Sequence, residues 1–380
     1  MARVKLIQDK ADVAPEHHGL FDELAALRGR ISGPSSVVLH SPGLARPWNR
    51  TSEFLHGHSV VEPEHAELAV CATARELDCA YVWAAHVPAA RRAGVSEAAI
   101  EAVANDGDVD GLTASEATVV RFVRQIVRER RVEDGVFDAL IGAHGPRWML
   151  ELTAWIGRYS ALACILNCFD VMPAPNAAVL PPSNRAAATN MARPPLPETR
   201  IPLLTASDWV PEADRPLFDA IAEGRGSVRG PFALLLYSPV LCQAVFDLSV
   251  YLRQDDFVPA ATRELAVIAT ARERDCPYVW AAHAPAARKE GVPDAASQLV
   301  RDRRSLEGLT ERDGDVIDLA RQLLRTHRVE QPLFDRLLAE HSLPGLVELT
   351  AVVGHYVFVT TILNAFEVSP APGAETLPLA

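Results

Sequence analysis

The sequence predicts an all-α fold built as two tandem copies of one domain, and three observations carry that expectation. Apolar residues recur at helical spacing through most of the chain, whereas the strict alternation that marks half-buried strands is missing. Pro, Ser, Thr and Gly stand where helices begin and end. A single offset of 197 residues lays the second half on the first without an insertion. It pairs Arg3 with Arg200, Phe21 with Phe218, Gly33-Pro34 with Gly230-Pro231, Ser41-Pro42 with Ser238-Pro239, Glu151 with Glu348, Gly157 with Gly354 and Asn167 with Asn364. The expected domains are therefore residues 1–171 and 201–380, joined by a Pro- and Ala-rich linker at 172–200. Such a linker holds neither a regular helix nor a central strand and should run extended over the surface. A related tail, Ser369 to Ala380, closes the second copy, so the segment is expected to belong to the unit and to strap onto a neighbouring domain.

Taken in order, residues 15–29 and 212–223 read as short amphipathic openers. In Ser41-Pro42 and Ser238-Pro239 the Pro suits a first helical turn and the Ser an N-cap. Helices are expected over about 46–59 and 63–77, then over 80–93, where Arg91-Arg92-Ala93-Gly94 places cations in the last turn and Gly just beyond it. Ser96 opens a short helix, and Thr113 to Arg131 carries Val119, Val120, Phe122, Val123, Ile126 and Val127 near helical spacing. The copy closes with Phe137 to Ile141 and a long apolar helix from Arg147 to Phe169, hydrophobic on most faces and so expected to be buried. His144 and His341, beside Gly145-Pro146 and Ser342-Leu343-Pro344, are expected at the surface.

At 380 residues, 49% hydrophobic and 23% charged, the chain has room for two proper cores. A net charge of −12 argues against a general binder of nucleic acid or anionic membranes. No apolar run is read as a membrane span and the start lacks the apolar core of a secretion signal, so a cytoplasmic protein is expected. Of six cysteines only Cys79 and Cys276 have counterparts in both copies, which fits a reducing compartment rather than a disulfide framework. Cys164 and Cys168, one helical turn apart among leucines and an isoleucine, read as buried thiols.

The stretch from Glu67 to Gly94 repeats at Glu264 to Gly291 with 22 of 28 positions identical, against 12 of 29 for the helical region from Leu112 to Leu140. It gathers a carboxylate, a thiol, a phenol, an indole and an imidazole. Cys79, Val82, Trp83 and His86 fall on one helical face, with Tyr81 off it and Glu67 on the preceding helix. A carboxylate that orients a His makes a proton-transfer group, and a base beside a thiol can equally activate the sulfur. Each copy offers only a Glu and a His as ligands at a sensible spacing, so no metal site is expected.

This pattern resembles the carboxymuconolactone decarboxylase-like family, whose all-helical core is shared with alkylhydroperoxidase D. The resemblance rests on an Arg-Glu-Leu opening, a Cys twelve residues after the Glu, a His seven after the Cys, and the Tyr-x-Trp-x-x-His variant, and it covers both copies. It implies catalytic roles for Glu67, Cys79 and His86 and for Glu264, Cys276 and His283, with Tyr81, Trp83, Tyr278 and Trp280 shaping the pocket. The Cys-x-x-Cys of the peroxidase branch is absent, since Val82 and Val279 occupy its second position. Arg263 precedes the second Glu, where the first copy has Ala66, and is expected to support the Glu or bind a substrate carboxylate. The expected enzyme needs no metal, flavin or nicotinamide and moves a proton on a small organic acid or lactone. Hydroperoxide reduction through a single Cys, and a non-catalytic ligand-binding or assembly module, stand beside that reading. The histidines equally suit structural positions bonded to the Glu, and the cysteines suit inert packing. The resemblance further implies a homo-oligomer, a trimer of this chain standing for a hexamer of domains.

Overall fold

Helix boundaries follow the sequence signals closely enough to explain most of them. The computed structural model describes residues 2–183, 199–254 and 257–378. Among these it contains sixteen α-helices and no strand. The first half comprises α1 (His18–Arg28), α2 (Pro34–Val38), α3 (Pro42–His58), α4 (Pro63–Glu76), α5 (Ala80–Ala93), α6 (Glu97–Ala104), α7 (Ala114–Arg124) and α8 (Asp134–Cys168). The second comprises α9 (Arg215–Arg225), α10 (Pro231–Leu235), α11 (Pro239–Tyr251), α12 (Ala260–Glu273), α13 (Pro277–Lys289), α14 (Asp294–Arg301), α15 (Glu311–Arg325) and α16 (Gln331–Ala365). Thr113 caps α7 in a full capping box with Glu116, and Ser96 caps α6 through Ala99 N–H.

Two boundaries differ from the sequence reading. Helix α3 begins at Pro42 and absorbs Pro47 rather than starting near 46, because Pro42 already sets the first turn. The helix expected to reach Arg131 changes after Arg124 into a π turn over Gln125–Glu129, and Arg130 ends it in the left-handed region at φ 61°. Each final helix bends sharply, α8 at Gly145 and α16 at Ser342, which reproduces the gap expected between 141 and 147. At these bends the expected surface placement fails for His341, which is buried, while His144 stacks on Trp148 at 3.9 Å between centroids.

α8 and α16 are long and apolar enough to cross a membrane by length and composition, contrary to the expectation that no segment qualifies. Their apolar windows are 100% and 94% buried, since the two helices pack on each other at the centre of the molecule. Gly157 and Gly354 stand at this crossing. A Cβ on Gly157 would lie 3.0 Å from the Phe358 ring, and one on Gly354 would lie 3.0 Å from the carbonyl oxygen of Ala161. The absence of side chains there lets the backbones approach.

The contacts between halves come in exchanged pairs. Ser41 donates to Glu348, and Ser238 donates to Glu151. Arg3 reaches the carbonyl of Val329 and lies over Phe334, while Arg200 reaches that of Val132 and lies over Phe137. Phe169 meets Phe334 edge-on and Phe366 meets Phe137 likewise, both at 5.5 Å. This is the self-complementary geometry of a two-fold interface, realised within one chain. It also gives the repeated Ser-Pro a use the sequence did not suggest. Neither hydroxyl caps its helix, and each is spent on a buried carboxylate across the interface.

The tails strap onto their own halves rather than a neighbour. Trp83 Nε1 donates to the carbonyl of Val179, and Arg75 to that of Pro181. In the second half Arg288 pairs with Glu375 and Arg272 reaches the carbonyl of Pro378. These carbonyls belong to segments outside regular secondary structure, and the helices beside them supply the donors. The remainder of the expected linker, 184–198, lies outside the described residues.

Candidate active site

The pair α12 and α13 positions the site, and the turn between them is set by one residue. Asp275 occupies the left-handed region at φ 46°, as Asp78 does at φ 47°, a conformation that short polar residues tolerate. The chain reverses there, Cys276 N–H closes on the carbonyl of Ala271, and α13 runs back alongside α12. His283, two turns into α13, thereby faces Glu264 in the second turn of α12.

His283 Nδ1 donates to Glu264 Oε2 at 2.7 Å, and His86 Nδ1 donates to Glu67 Oε2 at 2.8 Å. A carboxylate on Nδ1 fixes the tautomer that leaves Nε2 as the basic nitrogen. In the second half the hydroxyl of Tyr356, from α16, lies 3.3 Å from that Nε2. In the first half the matching Tyr159 stands edge-on to His86 and is hydrogen-bonded to His56 at 3.0 Å.

The two dyads differ most in the space before them. A cavity of about 400 Å³ opens on the second, lined by Arg225, Arg253, Arg263, Glu264, Tyr278, His283, His355 and Tyr356 among others. In the first half Trp48 replaces Val245, Trp155 replaces Val352, His56 replaces Arg253 and Ala66 replaces Arg263. Trp155 stacks on Tyr159 with centroids 5.9 Å apart and meets His56 at 4.8 Å, so aromatic rings pack around His86. The guanidinium that donates to Ser52 comes from Arg158 of α8, and the one that donates to the equivalent Ser249 comes from Arg225 of α9.

Electrostatics reflect the cluster of cations. Burial, reinforced by Arg225, Arg253 and His283, pushes His355 down to about 3, which keeps it neutral. Burial and then the neighbouring Arg253 lower Arg225 to about 10, so it remains cationic at neutral pH. Burial and the Glu264 charge push the Tyr356 hydroxyl up to about 12, making it a donor rather than a phenolate.

Of the residues expected from sequence, Glu264, His283, Arg263 and Tyr278 meet at this cavity, and Glu67 and His86 form the second dyad. Tyr278 fits because Gly230, at φ 57°, presents no side chain to its ring, and Gly33 does the same for Tyr81. Trp280 is fully buried and is not among the residues lining the cavity. Trp83 is also buried and anchors the tail. Cys79 and Cys276 stand immediately before α5 and α13, two helical turns from the histidines, and both are buried. Burial pushes the Cys79 thiol up to about 12. Tyr356, His355, Arg225 and Arg253 were not expected as site residues. The identity of Tyr159 with Tyr356 and of Arg28 with Arg225 at the common offset could have signalled two of them.

Comparison with known proteins found no match among curated proteins and none among solved structures. The family comparison succeeded over α3 to α7, which carry Glu67, Cys79 and His86. Residues 42–125 match the model of the Carboxymuconolactone decarboxylase family.

Proposed function

We propose that the second half holds the active site and that it transfers a proton on a small organic acid or lactone bearing a carboxylate. One observation carries this reading: the Glu264/His283 dyad opens on a cavity whose wall includes Arg225, Arg253 and Arg263. Guanidinium groups recognise carboxylates by paired N–H donors, and low local dielectric strengthens that attraction. Arg263 also lies 3.9 Å from Glu264, which puts an opposite charge beside the carboxylate that holds His283.

In this reading His283 Nε2 faces the reacting carbon, and Glu264 stabilises the imidazolium when Nε2 is protonated. For a decarboxylation, the bond to the departing carboxylate breaks and its electron pair passes into the conjugated carbonyl. Carbon dioxide leaves, His283, protonated beforehand from solvent, gives that proton to carbon, and water reprotonates the His for the next turnover. The arginines hold the remaining negative charge, and Tyr356 donates to whichever oxygen or nitrogen stands opposite. The first half, with Trp48, Trp155 and His56 around its dyad, supports the fold in this reading. Hydroperoxide reduction is the weaker reading, since Cys79 and Cys276 are both buried and burial pushes the Cys79 thiol up to about 12, where it supplies little thiolate.

The test is a screen of unsaturated lactone acids by NMR in heavy water, following carbon-bound proton exchange and carbon dioxide loss. Turnover is expected to fall about 10²- to 10⁴-fold in His283→Asn, and to survive in Cys276→Ser and His86→Asn. Full activity in His283→Asn would sink the proposal. Hydroperoxide turnover abolished by Cys276→Ser would replace it with sulfur chemistry.

A further inference from the structure

A second cavity, of about 460 Å³, lies between the two halves and shares no lining residue with the one at His283. Its volume is within the range of small-molecule sites. Part of its wall is apolar, from Leu77, Ala163, Cys164 and Val357. The polar part includes Arg274, in the turn between α12 and α13, whose side chain is buried. Arg274 Nη1 donates to the carbonyl of Val127 and Nη2 to that of Ile126, each at 3.1 Å, while its Nε has no partner among the described residues. No carboxylate pairs with it among the described residues. By contrast Arg128 and Arg325 on the same wall are held by Glu76 and Glu273.

A buried guanidinium without a counter-ion is costly, and an unsatisfied buried donor calls for a reason. Packing does not supply one, because the equivalent position in the first half is Leu77, in a turn of the same form. We propose that this cavity binds a small organic carboxylate with a compact apolar body, its carboxylate seated on Arg274 and its body against Ala163, Cys164 and Val357. The Cys164 thiol, pushed up to about 12 by burial, is neutral and presents an uncharged surface to that body. The site is independent of the one at His283, so neither proposal stands or falls with the other.

The experiment uses 4-bromobenzoate with the full chain. Crystals soaked with it are expected to show an anomalous bromine peak in the inter-half cavity, with the carboxylate in hydrogen-bond reach of Arg274. In solution, titration calorimetry is expected to show a binding event weakened at least tenfold by Arg274→Leu and retained in Arg263→Ala, which alters only the other cavity. Arg274→Lys, which keeps the charge and loses the fork, serves in the same assay if the Leu variant does not fold. Absence of the peak at Arg274 overturns the proposal. So does a peak without Arg274-dependent binding in solution, which would mean binding at crystal concentration only.

Discussion

Replacing Gly354 by Ala tests the central packing of the molecule, because two opposing effects are separable there. In an open helix interior, Gly→Ala stabilises by about 1 kcal/mol, since Ala loses less backbone freedom on folding. Gly314, in α15, has nothing within 4 Å of the position its Cβ would take, so Gly314→Ala should show that gain. At Gly354 the new Cβ would sit 3.0 Å from the Ala161 carbonyl oxygen and 3.3 Å from Ala161 Cα and Cβ. These are backbone and near-backbone atoms of the partner helix, so α8 and α16 must separate by some tenths of an ångström. Overpacking of this kind costs about 1–3 kcal/mol. The net effect at Gly354 is therefore a loss of about 1 kcal/mol, which places the two variants about 2 kcal/mol apart. Urea unfolding monitored by circular dichroism measures both, with the midpoint read at constant slope. If Gly354→Ala raises the midpoint as much as Gly314→Ala does, the close approach of α8 and α16 is wrong.

Three further outcomes follow from other contacts. Ser41→Ala leaves the buried Glu348 carboxylate short of a donor, with Tyr251 remaining, and should cost about 1–3 kcal/mol in the same assay; no change would mean that the inter-half bond contributes nothing. His355 stays neutral in the fold down to about 3, whereas in the unfolded chain it takes a proton near 6.5. Its stabilising contribution is thus complete above pH 6.5 and is lost as pH falls toward 3, at up to about 1.4 kcal/mol per pH unit. His355→Gln should flatten stability against pH in that window, and parallel curves would contradict the burial of a neutral ring. Finally, Trp83→Phe removes the bond to Val179 and should make the tail at 171–183 sensitive to protease, while Trp280→Phe, whose indole nitrogen has no partner among the described residues, should not affect its own tail. Equal cleavage in both variants would show that the bond does not hold the strap.

Helix type and order were legible because they depend on local periodicity and on capping residues, as at Ser96. The Glu/His pairing was legible for the same reason, since both residues lie on adjacent helices joined by a three-residue turn. The expectation failed where a residue's role depends on a distant partner. Ser41 read as a cap because the sequence shows its own helix and not Glu348 across the interface. Trp280 read as a pocket wall because spacing places it beside His283 on a helical face, whereas burial depends on what packs against that face.

By itself, then, the sequence determined an all-helical chain, a repeated Glu-Cys-His constellation and the helices that carry it, all consequences of interactions within about a dozen residues. The tertiary structure decided that the halves interlock through α8 and α16, because glycines at 157 and 354 act only when another backbone arrives. It also decided that the second dyad faces an arginine-lined cavity. That cavity is assembled by α9, α10, α11, α12, α13 and α16, and residues so far apart in the chain reveal their common purpose only after they are packed together.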